Sequence, residues 1–338
     1  MKKARKPWSI TKKIVVFSII GVIGALLILN LVILPLTAGS PREGGDVGME
    51  SNRYIVDRAY ISAHRAGGGE APEQTLSAFK LCLESTDYKV DILEFDLHVT
   101  KDGELILLHD DTLDRTSDVR EKFGRKNVKA SDLTYNEILT LNMGENFVDP
   151  NTGLTPYKGL RGDDIPEDVK ILSFSAILDY IEKVARPDGS MNYIIEIKDS
   201  GENGKIATDK MYETMVKYGI VDRTIVGTFN NDITRYFDEE YKGKLTRSAS
   251  IMEVLGFYLS FLYGADLGEV EYKVLQIPYK AFIYNFGTKE IIDYAHSYGI
   301  ATQYWTINDA DYVKELSDNG ADAIITDYPS IAYEVLNG

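Results

Sequence analysis

Two of the chain's four histidines are followed by a charged residue, in His64-Arg65 and His109-Asp110, and two carboxylates, Glu94 and Asp96, stand inside the apolar run Ile92-Leu93-Glu94-Phe95-Asp96. If that run is a strand, a spacing of two puts both carboxylates on one face. Two such neighbours repel each other and are costly to bury, and a divalent cation removes the conflict. Glu196, preceded by Tyr193-Ile194-Ile195, is the candidate third ligand. Oxygen-only ligands favour Mg²⁺ or Ca²⁺ over zinc. The plainer alternative is that the three carboxylates pair structurally with Arg65 and Lys198.

Histidine titrates near neutrality, so His64 and His109 can act as a general acid and a general base. His98 shares strand parity with Glu94 and Asp96 and reads as structural. His296, in Asp293-Tyr294-Ala295-His296, reads as a surface or packing residue of a helix. Arg65 and Lys198 each adjoin a catalytic candidate and would attract a phosphate, the arginine through two oxygens at once. Ala66-Gly67-Gly68-Gly69 reads either as backbone that approaches a ligand closely or as a plain flexible loop. It is not a P-loop, because no Gly-Lys-Ser/Thr follows. Trp305 fits equally as a wall for the apolar part of a substrate and as a core residue.

These residues stand where short apolar runs end. Strands are expected at 60–63, 92–99, 105–109, 193–197, 224–228, 245–248, 274–277, 302–305 and 323–326. Helical patterns cover 73–84, 135–141, 173–184, 207–218, 289–298 and 310–317. Repeated βα units imply a mainly parallel sheet covered by helices. At this length they favour a closed TIM-type (β/α)8 barrel, with its chemistry at the C-terminal ends of the strands. The candidates exceed eight by one. The runs 92–99 and 105–109 are joined by Thr100-Lys101-Asp102-Gly103, a turn with no room for a helix, so simple alternation breaks there. Residues 142–170 are polar and rich in Gly and Pro. They read as a long inserted loop, of the kind that often covers an active site.

Before the barrel, expected over 58–338, the chain changes character. Residues 14–36 carry no charge. At about 1.5 Å per residue such a run spans a hydrocarbon core of roughly 30 Å. Residues 1–13 hold six basic side chains and no acidic one. By the positive-inside rule this tail stays in the cytoplasm and the barrel lies on the outer side of a cell membrane, with 37–57 as a linker. A cleaved secretory signal processed near Leu36-Thr37-Ala38-Gly39, or a core helix, are the alternatives. No cysteine follows the run to accept a lipid.

The formal net charge is −15, and it is more negative still without the basic tail. So acidic a domain repels nucleic acid at long range, and none is expected as a partner. Cys82 is the only cysteine, which excludes an internal disulfide and a cysteine-based zinc site.

Taken in order, the segments resemble the glycerophosphodiester phosphodiesterase family. His64-Arg65 with Ala71-Pro72-Glu73-Gln74-Thr75-Leu76-Ser77-Ala78-Phe79 is similar to its first signature. Leu93-Glu94-Phe95-Asp96-Leu97-His98 and Leu107-Leu108-His109-Asp110-Asp111-Thr112-Leu113-Asp114-Arg115-Thr116 are similar to the next two. Glu196-Ile197-Lys198, Trp305-Thr306-Ile307-Asn308 and Thr326-Asp327-Tyr328-Pro329 follow. The resemblance implies a TIM-type barrel, one divalent metal, and hydrolysis of a glycerophosphodiester to an alcohol and glycerol 3-phosphate. By position, Glu94, Asp96 and Glu196 resemble the metal ligands and His64 and His109 the acid–base pair. Arg65 and Lys198 resemble the phosphate contacts, and Glu73 a carboxylate that supports the site. Ala66 stands where the family usually has glycine, and Gln74 where it usually has asparagine. These departures bear on the substrate rather than on the reaction class. A phospholipase D-like or phosphoinositide-cleaving activity on lipid head groups is the neighbouring alternative. A non-catalytic anchored binding protein is the remote one.

Overall fold

The computed structural model describes residues 52–281 and 284–338. The expected basic tail, the apolar run 14–36 and most of the expected linker lie outside these residues. Among the described residues no helix is long and apolar enough to cross a membrane.

Among the described residues, eight strands run parallel: β1 (Tyr60–Ala63), β2 (Ile92–Val99), β4 (Asn192–Ile197), β5 (Thr224–Gly227), β6 (Thr246–Arg247), β7 (Val274–Pro278), β10 (Ala301–Trp305) and β11 (Ala323–Thr326). Their order in the sheet is β6-β5-β4-β2-β1-β11-β10-β7. The first and last strands pair, Tyr60 with Ala323 through Ala63 with Thr326. The remaining gap, between β6 and β7, is bridged at Ser248 and Val274. The ring is therefore a nearly closed TIM-like barrel. The surplus strand is β3 (Leu105–Leu107), which pairs antiparallel with β2 across the short turn. A two-residue hairpin, β8 (Lys280–Ala281) and β9 (Tyr284–Asn285), lies outside the barrel sheet.

Burial explains the pattern. Every residue of β2 is buried, since both its faces are covered. Leu93, Phe95 and Leu97 face outward into a cluster with Phe79 of α1 (Leu76–Glu84) and Phe174 and Ile177 of α2 (Phe174–Tyr180). Each such side chain contributes about 1.5–3 kcal/mol on burial. The opposite parity, Ile92, Glu94, Asp96 and His98, points inward. Ile92, Ile194, Ile225, Val274, Ala323 and Ile325 form an apolar floor inside the barrel. Helix α3 (Gly201–Tyr218) buries Ala207, Met211 and Met215, a four-residue spacing, and ends at Gly219 in the left-handed region. The covering layer continues with α4 (Asn231–Glu240), α5 (Ile251–Tyr263), α6 (Lys289–Ser297), α7 (Ala310–Asp318) and α8 (Pro329–Asn337).

Two segments outside the ring are tied to it. The Asn52 amide donates to Lys273 O (2.8 Å) and Gly299 O (2.9 Å), at the N-terminal ends of β7 and β10. Between β3 and α2 the chain builds a satellite core from Leu108, Leu113, Val119, Val128, Leu133, Ile138, Leu141, Met143 and Ile171. The polar stretch 142–170 is pinned to that core by Asn142, whose amide donates to Tyr157 O (2.7 Å), and by Arg161, paired with Glu145 (2.7 Å) and Asp118 (3.3 Å).

Candidate active site

A cavity of about 360 Å³ opens at the C-terminal ends of the strands. His64, Arg65, Glu94, His109, Glu196, Lys198 and Trp305 all line it. Asp96, 1% exposed, does not line it but lies 3.3 Å from Lys198 Nζ. Register accounts for the convergence: Glu94 pairs with Ile194 and Asp96 with Glu196, so the three carboxylates project from adjacent strands toward one side. Glu196 is also level with Gly227. A Cβ on Gly227 would come within 2.9 Å of Ser248 Oγ, so glycine keeps that wall open.

At the end of β1 the chain makes a turn in which Arg65 (φ 51°) and Ala66 (φ 59°) are left-handed. Such non-glycine residues cost on the order of 1–3 kcal/mol each. The turn aims the Arg65 backbone N–H at Glu94 Oε2 (2.7 Å). The following glycines serve packing. A Cβ on Gly69 would fall 2.6 Å from the Tyr328 ring, and one on Gly68 2.9 Å from Glu73 Cβ. None of Gly67, Gly68 and Gly69 lines the cavity.

Each cavity histidine is oriented by a carboxylate. His64 Nδ1 is 2.6 Å from Asp327 Oδ1. His109 Nδ1 is 2.8 Å from Asp110 Oδ1. If the carboxylates accept from Nδ1–H, both Nε2 atoms are left for a ligand. Burial would lower the His64 pKa, but Glu94 and Asp327 outweigh it and the pKa is raised. The hydrogen bond from His109, joined by Arg115, holds Asp110 well below the usual carboxylate range.

The His109 and Arg65 supports are joined. Arg115 grips Asp110 (Nε–Oδ2 2.7 Å) and Glu73 (Nη2–Oε1 2.7 Å, Nη1–Oε2 2.8 Å). Glu73 in turn holds Arg65 at 3.4 Å. Gln74, left-handed at φ 57°, clasps Asp96: its Nε2 donates to Oδ2 (3.0 Å) and its Oε1 accepts the Asp96 backbone N–H (2.8 Å). Phe229 and Trp305 meet edge to face at 5.9 Å on the far wall.

Sequence reasoning singled out the side chains that converge here. It did not assign the ones that hold them: Asp327, Asp110, Arg115 and Gln74. Their signal was adjacency within the motifs. His98 lies off the cavity; it and Val99 N–H bind Asp199 (2.8 and 2.7 Å), tying β2 to the loop before α3. His296 bonds Asp322 (2.8 Å), remote from the site. Residues 142–170, expected as a cover, contribute nothing to the cavity lining. They support Arg115 from outside, through the Asn146 amide on Arg115 O (2.8 Å).

The carboxylate trio can be tested for a cation. Burial, then the neighbouring Asp96, raises Glu94 to about 8 and raises Glu196 as well. Lys198 Nζ lies 2.9 Å from Glu196 and 3.3 Å from Asp96 and partly offsets that repulsion. Among the described residues no three His, Cys, Asp or Glu side chains stand as a ready-made metal cluster. The donor set still suits a hard cation: three mutually repelling carboxylates, Glu94 and Asp96 buried and Glu196 half-buried, with oxygen donors only.

The glycerophosphoryl diester phosphodiesterase family model matches residues 64–331. A glycerophosphodiester phosphodiesterase of Bacillus subtilis is 26% identical over 320 residues, 92% of this chain and 94% of that protein. A lysophospholipase D of Rattus norvegicus is 25% identical over 305 residues, 81% of this chain and 85% of that protein. Among solved structures, an Oleispira antarctica phosphodiesterase in complex with the product sn-glycerol-3-phosphate superimposes with TM-score 0.61 at 19% identity, covering 83% of this chain and 98% of that one.

Proposed function

The chain belongs to the glycerophosphoryl diester phosphodiesterase family, and from that premise we propose that it hydrolyses glycerophosphodiesters to an alcohol and glycerol 3-phosphate by metal-dependent histidine acid–base catalysis. The observation that carries this is the pair His64 and His109. Each is held at Nδ1 by a carboxylate, and both face one cavity with Arg65 and Lys198.

Glu94, Asp96 and Glu196 would hold one Mg²⁺ or Ca²⁺. The cation would supply positive charge for the phosphoryl oxygens. Arg65 and Lys198 bind and orient the phosphate. One histidine takes the proton of the attacking hydroxyl at Nε2, the glycerol 2-hydroxyl in this scheme. As its oxygen bonds to phosphorus, the bond to the leaving alkoxide breaks and the other histidine protonates that alkoxide. Water then opens the cyclic phosphate with the histidine roles reversed, giving glycerol 3-phosphate. Asp327 and Asp110 stabilise each imidazolium as it forms. Glu73 and Arg115 keep Arg65 and His109 in register.

The test is hydrolysis of glycerophosphocholine by the full chain, with EDTA and then with Mg²⁺ or Ca²⁺ restored. Metal-dependent release of glycerol 3-phosphate supports the proposal. No release with any metal, from folded protein, rejects it. A lipid-derived diester is the second reading, favoured by the apolar wall of Phe229 and Trp305 and by the rat relative named a lysophospholipase D. Release of acylated glycerophosphate from a lysophospholipid would select it. The uncharged run 14–36 behind a basic tail supports a membrane-anchored enzyme with its barrel on the extracytoplasmic side. Protease accessibility of the barrel in intact cells tests that orientation.

A further inference from the structure

Helix α5 is unlike the other helices around the barrel. Its outward side chains are Ile251 (53% exposed), Met252 (61%), Leu255 (47%), Leu259 (41%) and Tyr263 (52%). Spacings of three and four put them along one stripe. The one charged residue of the helix, Glu253, is turned back into a capping box with Ser250 and paired with Arg247 (2.8 Å). By contrast, α3 turns Glu202, Lys205, Lys210, Glu213 and Lys217 outward around its buried methionines. A contiguous, uncharged, exposed stripe on so acidic a protein marks an interaction surface.

Its placement identifies the partner. α5 leaves β6 at the mouth, where Ile251 and Val254 line the catalytic cavity, and descends the flank to β7. At the lower end, Asn52 bonds Lys273 O, immediately before β7. The chain therefore enters the barrel on the flank that α5 covers. Outside the described residues the same chain carries the uncharged run 14–36, and 37–51 separate it from Asn52. The stripe thus joins the point where a membrane tether would attach to the rim of the active site.

We propose that the exposed face of α5 lies in the surface of a phospholipid bilayer. The barrel rests on this flank, and its mouth opens at the level of the lipid headgroups. Apolar contact carries the binding, with no need for basic side chains on an acidic domain. The proposal takes the tether from the reading above, but its readout needs no catalysis. Failure of diester hydrolysis and failure of docking are therefore distinguishable.

The test uses the full-length chain in phosphatidylcholine vesicles that contain brominated acyl chains. Cys82, the only cysteine, is buried, so a cysteine introduced by Leu255→Cys takes an environment-sensitive fluorophore selectively. Val184→Cys, on an exposed residue of another flank, is the control. The expected result is quenching at 255 that is roughly two-fold or more above that at 184. Equal quenching at both sites overturns the proposal. So does a protein that floats with the vesicles through 14–36 while position 255 stays unquenched, whether in water or beneath a second copy of the chain. A protein that does not float at all overturns it as well.

Discussion

Around the barrel mouth, β1 to β4 contribute His64, Arg65, Glu94, Asp96, His109, Glu196 and Lys198, whereas β5 to β10 contribute Thr228, Phe229, Ala249, Ile277, Pro278 and Trp305. One half of the rim is ionic; the other is uncharged, with Ser248, Gln276 and Thr306 as its further polar groups. In the ionic half, Arg65, Ala66 and Gln74 adopt positive φ, and the turn binds Glu94 through the Arg65 N–H and Asp96 through Gln74. There the groups must be held against their own repulsion; the opposite wall carries no charge to hold. Substitutions in the first half should change turnover, and those in the second should change affinity.

The severest test of this division is His64→Ala or His109→Ala, which should lower kcat on glycerophosphocholine by on the order of 10²–10⁴. Near-normal turnover in either folded variant would break the comparison at its centre. Arg115→Ala comes next. It frees Asp110 and Glu73 together, and a loss of roughly 10²-fold is expected, mostly in kcat. Arg115→Lys should restore little, because an ammonium cannot grip both carboxylates in a fork. A pure KM effect would mean that Arg115 binds substrate instead. On the other half, Phe229→Ala or Trp305→Ala should raise KM by about 3- to 10-fold and leave kcat nearly unchanged.

Smaller effects sharpen the contrast. Glu94 and Glu196 have folded pKa values above their unfolded ones. Without metal, the folded protein therefore keeps protons that the unfolded chain has lost. Their contribution to stability is full below the unfolded carboxylate range and is lost as pH rises toward the folded pKa of Glu94, about 8. Mg²⁺ or Ca²⁺ should accordingly raise Tm by a few degrees more at pH 9 than at pH 6, in paired melts with EDTA. A larger gain at pH 6 would remove these carboxylates as ligands. Least of all, Ala66→Gly should relieve the left-handed strain and change stability by no more than about 1 kcal/mol, read in denaturant melts.

The alternation of Glu94 and Asp96 in β2, and the histidines at strand ends, were legible because a strand's two-residue period is local. So was the barrel, up to the question of which strand was surplus. Of the supports, Glu73 was legible through the family resemblance; the others were not. Asp327 reaches His64 across 263 positions, and Gln74 reaches Asp96 only because a loop residue turns left-handed. The β8–β9 hairpin, with two residues per strand, is too short to show a period. The reach of 142–170 to Arg115 rather than over the mouth depends on the small core beneath it. The stripe on α5 was hidden for another reason: Ile251-Met252-Glu253-Val254-Leu255 is apolar on both sides, so its pattern does not say which side is covered.

The pairing of β1 with β11 has a consequence for how the enzyme comes into being. The ring closes only when the last strand reaches the first, and that same strand brings Asp327 to His64. During synthesis a chain that has already made His64, His109 and all three carboxylates still lacks the seam. Closing it brings together segments almost at opposite ends of the barrel, the slowest kind of contact to form. A nascent or prematurely ended product is thus an open sheet with two unprotected edges and an unsupported histidine. Activity should arrive with the final few dozen residues rather than grow with chain length, so an incomplete copy is no partial phosphodiesterase.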